Sequence, residues 1–189
     1  MCKPIKICLP VLQQDYEQAH AIIEKTIWRN ELPVEFLQNL SSGEVFVAKS
    51  AGRVVGVVQM RRPGKIFEEW DESKFTLSKI NVEKGHIGHI GLLAVDPEFQ
   101  GQGIGKKLIR RALKNLKEWG SKCVTVHVWQ SSPGGASEKV FRSLGFEPLT
   151  LHKKQLYEHS KKLGPENYWC VVCGNPCKCD ELEMVKYLK

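Results

Sequence analysis

Ile90-Gly91-Leu92-Leu93-Ala94-Val95-Asp96-Pro97-Glu98-Phe99-Gln100-Gly101-Gln102-Gly103-Ile104-Gly105 carries an apolar run into a glycine loop and then directly into a helix. The run predicts a strand that stops at Asp96-Pro97. The helix is predicted over 103–119, because Ile104, Leu108, Ile109, Ala112, Leu113, Leu116 and Trp119 recur at the 3.6-residue period. A strand, a glycine loop and a helix start in that order leave backbone N–H groups unpaired at a helix N-terminus, which is a phosphate site. Three glycines in five positions let an anion approach the backbone and permit positive φ. The spacing matches neither the dinucleotide G-x-G-x-x-G nor the Walker G-x-x-x-x-G-K-[ST] pattern.

Charge points to the same place. From 103 to 122 the bases Lys106, Lys107, Arg110, Arg111, Lys114, Lys117 and Lys122 face only Glu118, in a chain with formal charge +7. The helix therefore carries nearly all of the excess. An ordinary solvated basic face has the same composition; the glycine loop directly upstream favours a polyanionic ligand.

Gln100-x-x-Gly103-x-Gly105 after Leu93-Ala94-Val95-Asp96-Pro97 resembles the Q/R-x-x-G-x-G/A acetyl-CoA signature of the GNAT acyltransferases. The resemblance covers roughly residues 3–150, including an N-terminal strand and helix, a Val-rich hairpin and Leu144-Gly145-Phe146. It implies that the amides of Gln100, Gly101, Gln102, Gly103, Ile104, Gly105 and Lys106 bind pyrophosphate. It also implies that Leu93, Ala94 and Val95 offer backbone to the pantetheine arm as an added strand would.

At 189 residues, 42% hydrophobic and 26% charged, the chain is expected to be one soluble domain. No apolar run approaches a membrane span, and the first residues lack a signal-peptide core, so a cytoplasmic protein with reduced thiols is expected. Strands are predicted at 6–9, 44–49, 53–60, 86–95, 122–129, from 146, and at 181–188. Helices are predicted from an Asp15 cap to Trp28, at 34–40, and from about Gly134 with Pro133 at its first position. Residues 63–85 are predicted as a long polar connection able to cover a cleft. The expected architecture is α/β (α+β), a mixed and mostly antiparallel sheet flanked by helices on both faces. Residues 1–152 form the acetyltransferase core, and 153–189 a C-terminal extension with the final strand, within the same domain.

Acyl transfer to an amine needs a base, an oxyanion donor and an exit for the thiolate. His89, four residues before Leu93, is the favoured base, with an ordinary pKa of about 6.5; arylalkylamine acetyltransferases resemble this chain in having histidine there. His86 and Glu83 are the alternatives or relays, and His127 reads as structural. The donor is expected to be a backbone N–H near Leu93, at a bulge that Gly88 or Gly91 permits. Many family members carry N-x-x-A-x-x-x-Tyr with the tyrosine as acid. Here Gly134, Ser137 and Phe141 occupy the Asn, Ala and Tyr positions, which leaves Ser143, Tyr157 or solvent for that role.

Cys2, Cys8 and Cys123 are scattered, whereas Cys170, Cys173, Cys177 and Cys179 fall within ten residues as C-x2-C-x3-C-x-C. Four thiolates suit a closed structural zinc site, with His152 or His159 as a substitute ligand; disulfides and an iron–sulfur cluster are the alternatives. The leading expectation is an acetyl-CoA-dependent N-acetyltransferase whose acceptor is a small-molecule or protein amine. No membrane partner is expected, nucleic acid is disfavoured, and a homodimer is left open. The competing classes are a catalytically silent acyl-CoA sensor and a zinc-stabilised nucleic-acid-binding protein.

Overall fold

The computed structural model describes residues 4–188; Cys2 lies outside the described residues. In chain order the elements are β1 (Ile5–Cys8), α1 (Gln13–Thr26), β2 (Trp28–Arg29), α2 (Val34–Gln38), β3 (Val45–Ser50), β4 (Arg53–Arg61), α3 (Ile66–Glu69) and β5 (Ile87–Val95). There follow α4 (Ile104–Glu118), β6 (Cys123–Trp129), α5 (Ala136–Arg142), β7 (Glu147–His152), α6 (Tyr157–Leu163), β8 (Trp169–Cys170) and β9 (Glu181–Tyr187). Among the described residues seven strands form one sheet in the order β1-β3-β4-β5-β6-β9-β7. All its neighbouring pairs are antiparallel except β5 and β6. Because β9 lies between β6 and β7, the last strand in sequence is an interior strand of the sheet, next to its edge.

Helices cover both faces. On one, Ile104, Leu108, Ile109, Ala112 and Leu116 of α4 pack on Phe46, Val55, Val58, Ile90 and Val126. On the other, Ala19, Ile22 and Ile23 of α1 and Leu37 of α2 pack on Val47, Val57, Leu92 and Ala94. The helix α4 ends as its sequence dictates. Gly120 takes φ 88°, and Ser121 N–H returns to the Leu116 carbonyl at 3.0 Å, which closes a Schellman turn. Leu108 has no exposed surface. Leu108→Ala should therefore cost about 2–5 kcal/mol in urea unfolding; a cost below 1 kcal/mol would show that this interface is loosely packed.

Three helix boundaries differ from expectation. Leu12, not Asp15, is the N-cap of α1; Asp15 sits one turn in, and its carboxylate accepts from Val11 N–H at 2.9 Å and Leu12 N–H at 3.2 Å. That acid still satisfies free helix-start donors, from the third helical position instead of the cap. The helix also stops at Thr26, and Trp28 pairs as a strand. The helix α5 begins at Ala136 because Gly134 (φ 64°) and Gly135 (φ 63°) are left-handed and interrupt it. The 63–85 connection is built of α3 and short 3-10 turns, with Ile66, Phe75 and Ile80 buried beneath it.

Candidate active site

The strand β5 is broken at its middle. Gln59 pairs with Leu92 and Met60 with Ile90, so Gly91 is an extra residue opposite neither. A Cβ on Gly91 would crowd the side-chain oxygen of buried Gln59, so any larger residue at the bulge has to displace that amide. Beyond the bulge β5 and β6 part: their parallel pairing runs from Ile87–Cys123 to Ile90–Val126 and ends there. The second half of β5 keeps β4 on one side and leaves its other edge open.

Backbone alternation decides which groups face that opening. Asp96 N–H donates to the Val55 carbonyl at 3.0 Å, so the peptide groups of Ala94 and Leu92 also point to β4. Those of Leu93 and Val95 point into the fork. The Val95 carbonyl there accepts from the Gln100 side chain at 3.0 Å, which ties the glycine loop to the end of the strand. Buried Asp96 fixes the corner, accepting from Arg53 at 2.7 Å and from Glu98 N–H at 3.2 Å.

The loop then offers donors. Gly101 and Gly103 both take φ 75°, with nothing within 4 Å of a Cβ built at either. Gly103 caps α4 without a side-chain bond, and the first intrahelical bond returned to it is Lys107 N–H to its carbonyl at 3.2 Å. Among the described residues the N–H groups of Gly101 through Lys106 have no protein acceptor. Six free amides at a helix N-terminus, with Lys106 and Lys107 in its first turn, form an anion cradle.

The two sheet faces at the fork differ in chemistry. The α4 face is apolar. The opposite face carries Gln59, Arg61, His89, Thr125, His127, Glu181 and Glu183, roofed by Trp70, Phe75 and the backbone at Lys74–Thr76. A group entering the fork from this side meets hydrogen-bonding and titratable side chains, whereas one entering from the other meets only apolar ones. His89 is buried in it, its Nδ1 2.9 Å from the Thr125 hydroxyl, with Phe75 edge-on at 5.6 Å and Trp70 at 6.0 Å. The Thr125 hydroxyl donates to the Gly88 carbonyl, so it accepts from Nδ1–H and leaves Nε2 as the basic nitrogen. Burial, then the nearby His127 and Arg61, hold the His89 pKa well below its usual value.

Glu83 and His86 do not join this site. They lie 3.6 Å apart before β5 begins, at the end of the strand away from the fork, and Glu83 is fully solvated. Phe141 is buried in the α4-side core against Phe146 at 5.1 Å. The Ser143 hydroxyl donates to the Val140 carbonyl of its own helix, and Tyr157 opens α6. Sequence reasoning passed over Gln59 and Arg61, because a strand buried on both faces shows no alternation to mark them, and also Glu181. His127 is at the fork, with Nε2 donating to the Lys74 carbonyl at 3.0 Å and Nδ1 buried without a hydrogen-bond partner among the described residues.

Burial of histidines makes stability depend on pH. Desolvation lowers the His127 pKa to about 4, with His89 also well below 6.5. Below about pH 6.5 the unfolded chain takes up protons that these folded histidines refuse, so their contribution to stability is full above that pH and falls as acid is added toward pH 4. Glu181, raised by burial to about 7, contributes in the opposite sense. In urea melts between pH 6 and 4.5 each histidine should add a loss of up to about 1.4 kcal/mol per pH unit to the slope, offset in part by Glu181. His127→Asn should flatten that slope; an unchanged slope contradicts the assignment.

The second cluster is the cysteine set. Cys170, Cys173, Cys177 and Cys179 offer sulfurs that all lie within 4.8 Å of one another. A tetrahedron with zinc–sulfur bonds of about 2.3 Å has edges of roughly 3.8 Å. Here Cys170–Cys179 is 3.8 Å, Cys173–Cys177 3.7 Å and Cys173–Cys179 3.4 Å. Lys178 N–H donates to the Cys173 sulfur at 3.1 Å. Hydrogen bonding from the Cys177 thiol, then from the Cys173 and Val172 amides, pulls the Cys170 thiol down to about 5. The donor set and its spacing fit a closed tetrahedral metal. The histidines considered as substitutes are engaged elsewhere: His152 with Glu183 and His159 with Glu31, each at 3.0 Å.

A family model described as the acetyltransferase (GNAT) family matches residues 10–146, and the chain belongs to that family. Among solved structures, the ribosomal-protein-S18-alanine N-acetyltransferase of Escherichia coli is 16% identical, with 98% of this chain and 95% of that one covered, at a TM-score of 0.64. The NatC complex bound to Gag peptide and CoA gives 12% identity, 98% and 99% coverage and a TM-score of 0.67. These likenesses are of fold. Among curated relatives, an uncharacterized N-acetyltransferase of Methanocaldococcus jannaschii is 36% identical over 73 residues, 39% of this chain and 31% of that protein. The ribosomal-protein-bS18-alanine N-acetyltransferase of Haemophilus ducreyi is 38% identical over 61 residues, 32% of this chain and 41% of its own length. Both alignments span less than half of the relative.

Proposed function

We propose that the protein transfers the acetyl group of acetyl-CoA to a primary amine by direct attack. The observation that carries this reading is the open edge of β5 at Leu93 and Val95, which runs straight into the free amides of 101–106. Pantetheine amides pair with the former and pyrophosphate with the latter. Leu93 N–H, two residues past the bulge and turned into the fork, is the donor for the developing oxyanion. His89 is the base, its neutral Nε2 reached from the polar face through a water molecule. The burial that keeps it neutral also weakens it, so its contribution lies at the low end of general-base catalysis. Phe141 supplies no acid. A thiol of pKa near that of cysteine, about 8.5, leaves readily enough as the thiolate for solvent to protonate it. Glu83 and His86 take no part in this scheme.

The cysteine set holds zinc through Cys170, Cys173, Cys177 and Cys179. The ion has a structural role, since four thiolates leave no open position for chemistry. The acceptor is a small amine or a polypeptide N-terminus; the alanine-directed relatives make an alanine-initiated peptide the first to try. Release of free CoA should be followed with that peptide, agmatine and a panel of primary amines. Turnover with at least one amine is expected, and His89→Ala should lower kcat about 100-fold. An unchanged rate across pH 6–9 in His89→Ala removes it as the base. Acetyl-CoA binding without turnover on any amine would replace the enzyme with an acyl-CoA sensor.

A further inference from the structure

The chain around the cysteine set is hydrogen-bonded to the segment that follows α1, which reaches the polar face at Glu31. Cys170 on β8 pairs with Trp28 of β2, and Val171 N–H donates to the Ile27 carbonyl at 3.1 Å. Both are contacts to the connection that leaves α1. The Trp28 ring packs simultaneously against the cysteine cluster and against the α1 core. Two residues past β2, the Glu31 carboxylate bonds to His159 of α6 at 3.0 Å. The next residue of that helix, fully buried Ser160, accepts from Cys177 N–H at 2.8 Å through its hydroxyl. Trp129, at the end of β6 just past the fork, packs on the same cluster, and Glu181 opposes it at the start of β9. The α1–β2 connection, α6 and the end of β6 therefore converge on the cysteine set, and Glu31 stands close enough to Lys74 and Glu181 of the polar face for their charges to interact. Among the described residues the bulge and the glycine loop contribute nothing to that cluster.

A two-residue ladder such as β2–β8 is too short to hold itself together. The four thiols lie within residues 170–179, so a cross-link among them closes only short loops, and its hold on the wall comes through the contacts above. We propose that a metal ion bound by the four cysteines positions the acceptor wall, so that binding of the amine depends on the metal while binding of acetyl-CoA does not. The proposal rests on the acetyl-transfer reading for its kinetic consequence and on the hydrogen-bonded links above for its structural one.

The test compares zinc-loaded, chelator-stripped and Cys177→Ser full-length protein by hydrogen–deuterium exchange, acetyl-CoA calorimetry and transfer to the alanine-initiated peptide. Stripping should speed exchange at residues 28–31 at least tenfold and leave the acetyl-CoA Kd within twofold. It should also raise the peptide KM at least tenfold. His159→Ala, which keeps all four thiols, should loosen the same amides in zinc-loaded protein even where Cys177→Ser fails to fold. Unchanged exchange at 28–31 after stripping overturns the proposal. So does acetyl-CoA binding lost in parallel, which would mark a stabiliser of the whole fold, and so does failure to take up zinc. If loaded protein binds acetyl-CoA but acetylates nothing, the acetyl-transfer reading fails, and the exchange data alone decide whether the metal holds the wall.

Discussion

Gly103→Glu should weaken acetyl-CoA binding at least a hundredfold, about 2.7 kcal/mol by calorimetry. Gly103 is the N-cap of α4 at φ 75°, with nothing within 4 Å of a Cβ built on it. A side chain there meets no steric block and costs only the left-handed backbone conformation, on the order of 1–2 kcal/mol. The effect on binding therefore comes from the carboxylate, which stands at the helix N-terminus where the pyrophosphate belongs and competes with it for the same free amides. Gly103→Ala separates the two contributions: it keeps the strain, adds no charge, and should lose less than a tenth as much affinity as the glutamate variant. A glutamate variant that binds acetyl-CoA as well as the parent would move the pyrophosphate off this loop.

The second large effect concerns metal. Protein purified without chelator should carry one zinc per chain, and Cys177→Ser should carry none. With the cross-link gone, a loss of about 3 kcal/mol lowers the melting temperature by roughly 10 °C for a chain of this size. Cys8→Ser removes a thiol outside the cluster and should keep both the zinc and the melting temperature. Metal-free parent protein that melts at the same temperature as Cys177→Ser and takes up no added zinc would leave the four thiols as a hydrogen-bonded cluster only.

How much the amino-acid sequence revealed depended on the length of each pattern. The unit β5–loop–α4 was legible because fifteen helical residues and nine strand residues are long enough for the hydrophobic period to show. Gly101 and Gly103 also sit where the backbone takes positive φ. The open edge at Leu93 and Val95 was expected from resemblance; its physical basis, the extra residue at Gly91 and the early end of the β5–β6 pairing, requires strand register. The polar face was hidden for a related reason. Val57 and Val58 are both buried, on opposite faces, so Gln59 and Arg61 read as the frayed end of an apolar strand. Two-residue strands such as β2 and β8 have no period at all, and they pair across some 140 residues of chain. The cysteine spacing could be read locally; that its neighbours reach the α1 connection could not.

The most direct measurement follows backbone amides by exchange or NMR during titration of the full-length protein with acetyl-CoA. The account predicts one-to-one binding, with protection gained at Leu93, Val95 and Gly101–Lys106 and little change at Glu83–His86 or in the cysteine segment. Saturable binding that leaves Leu93, Val95 and the glycine loop exchanging as before would contradict it.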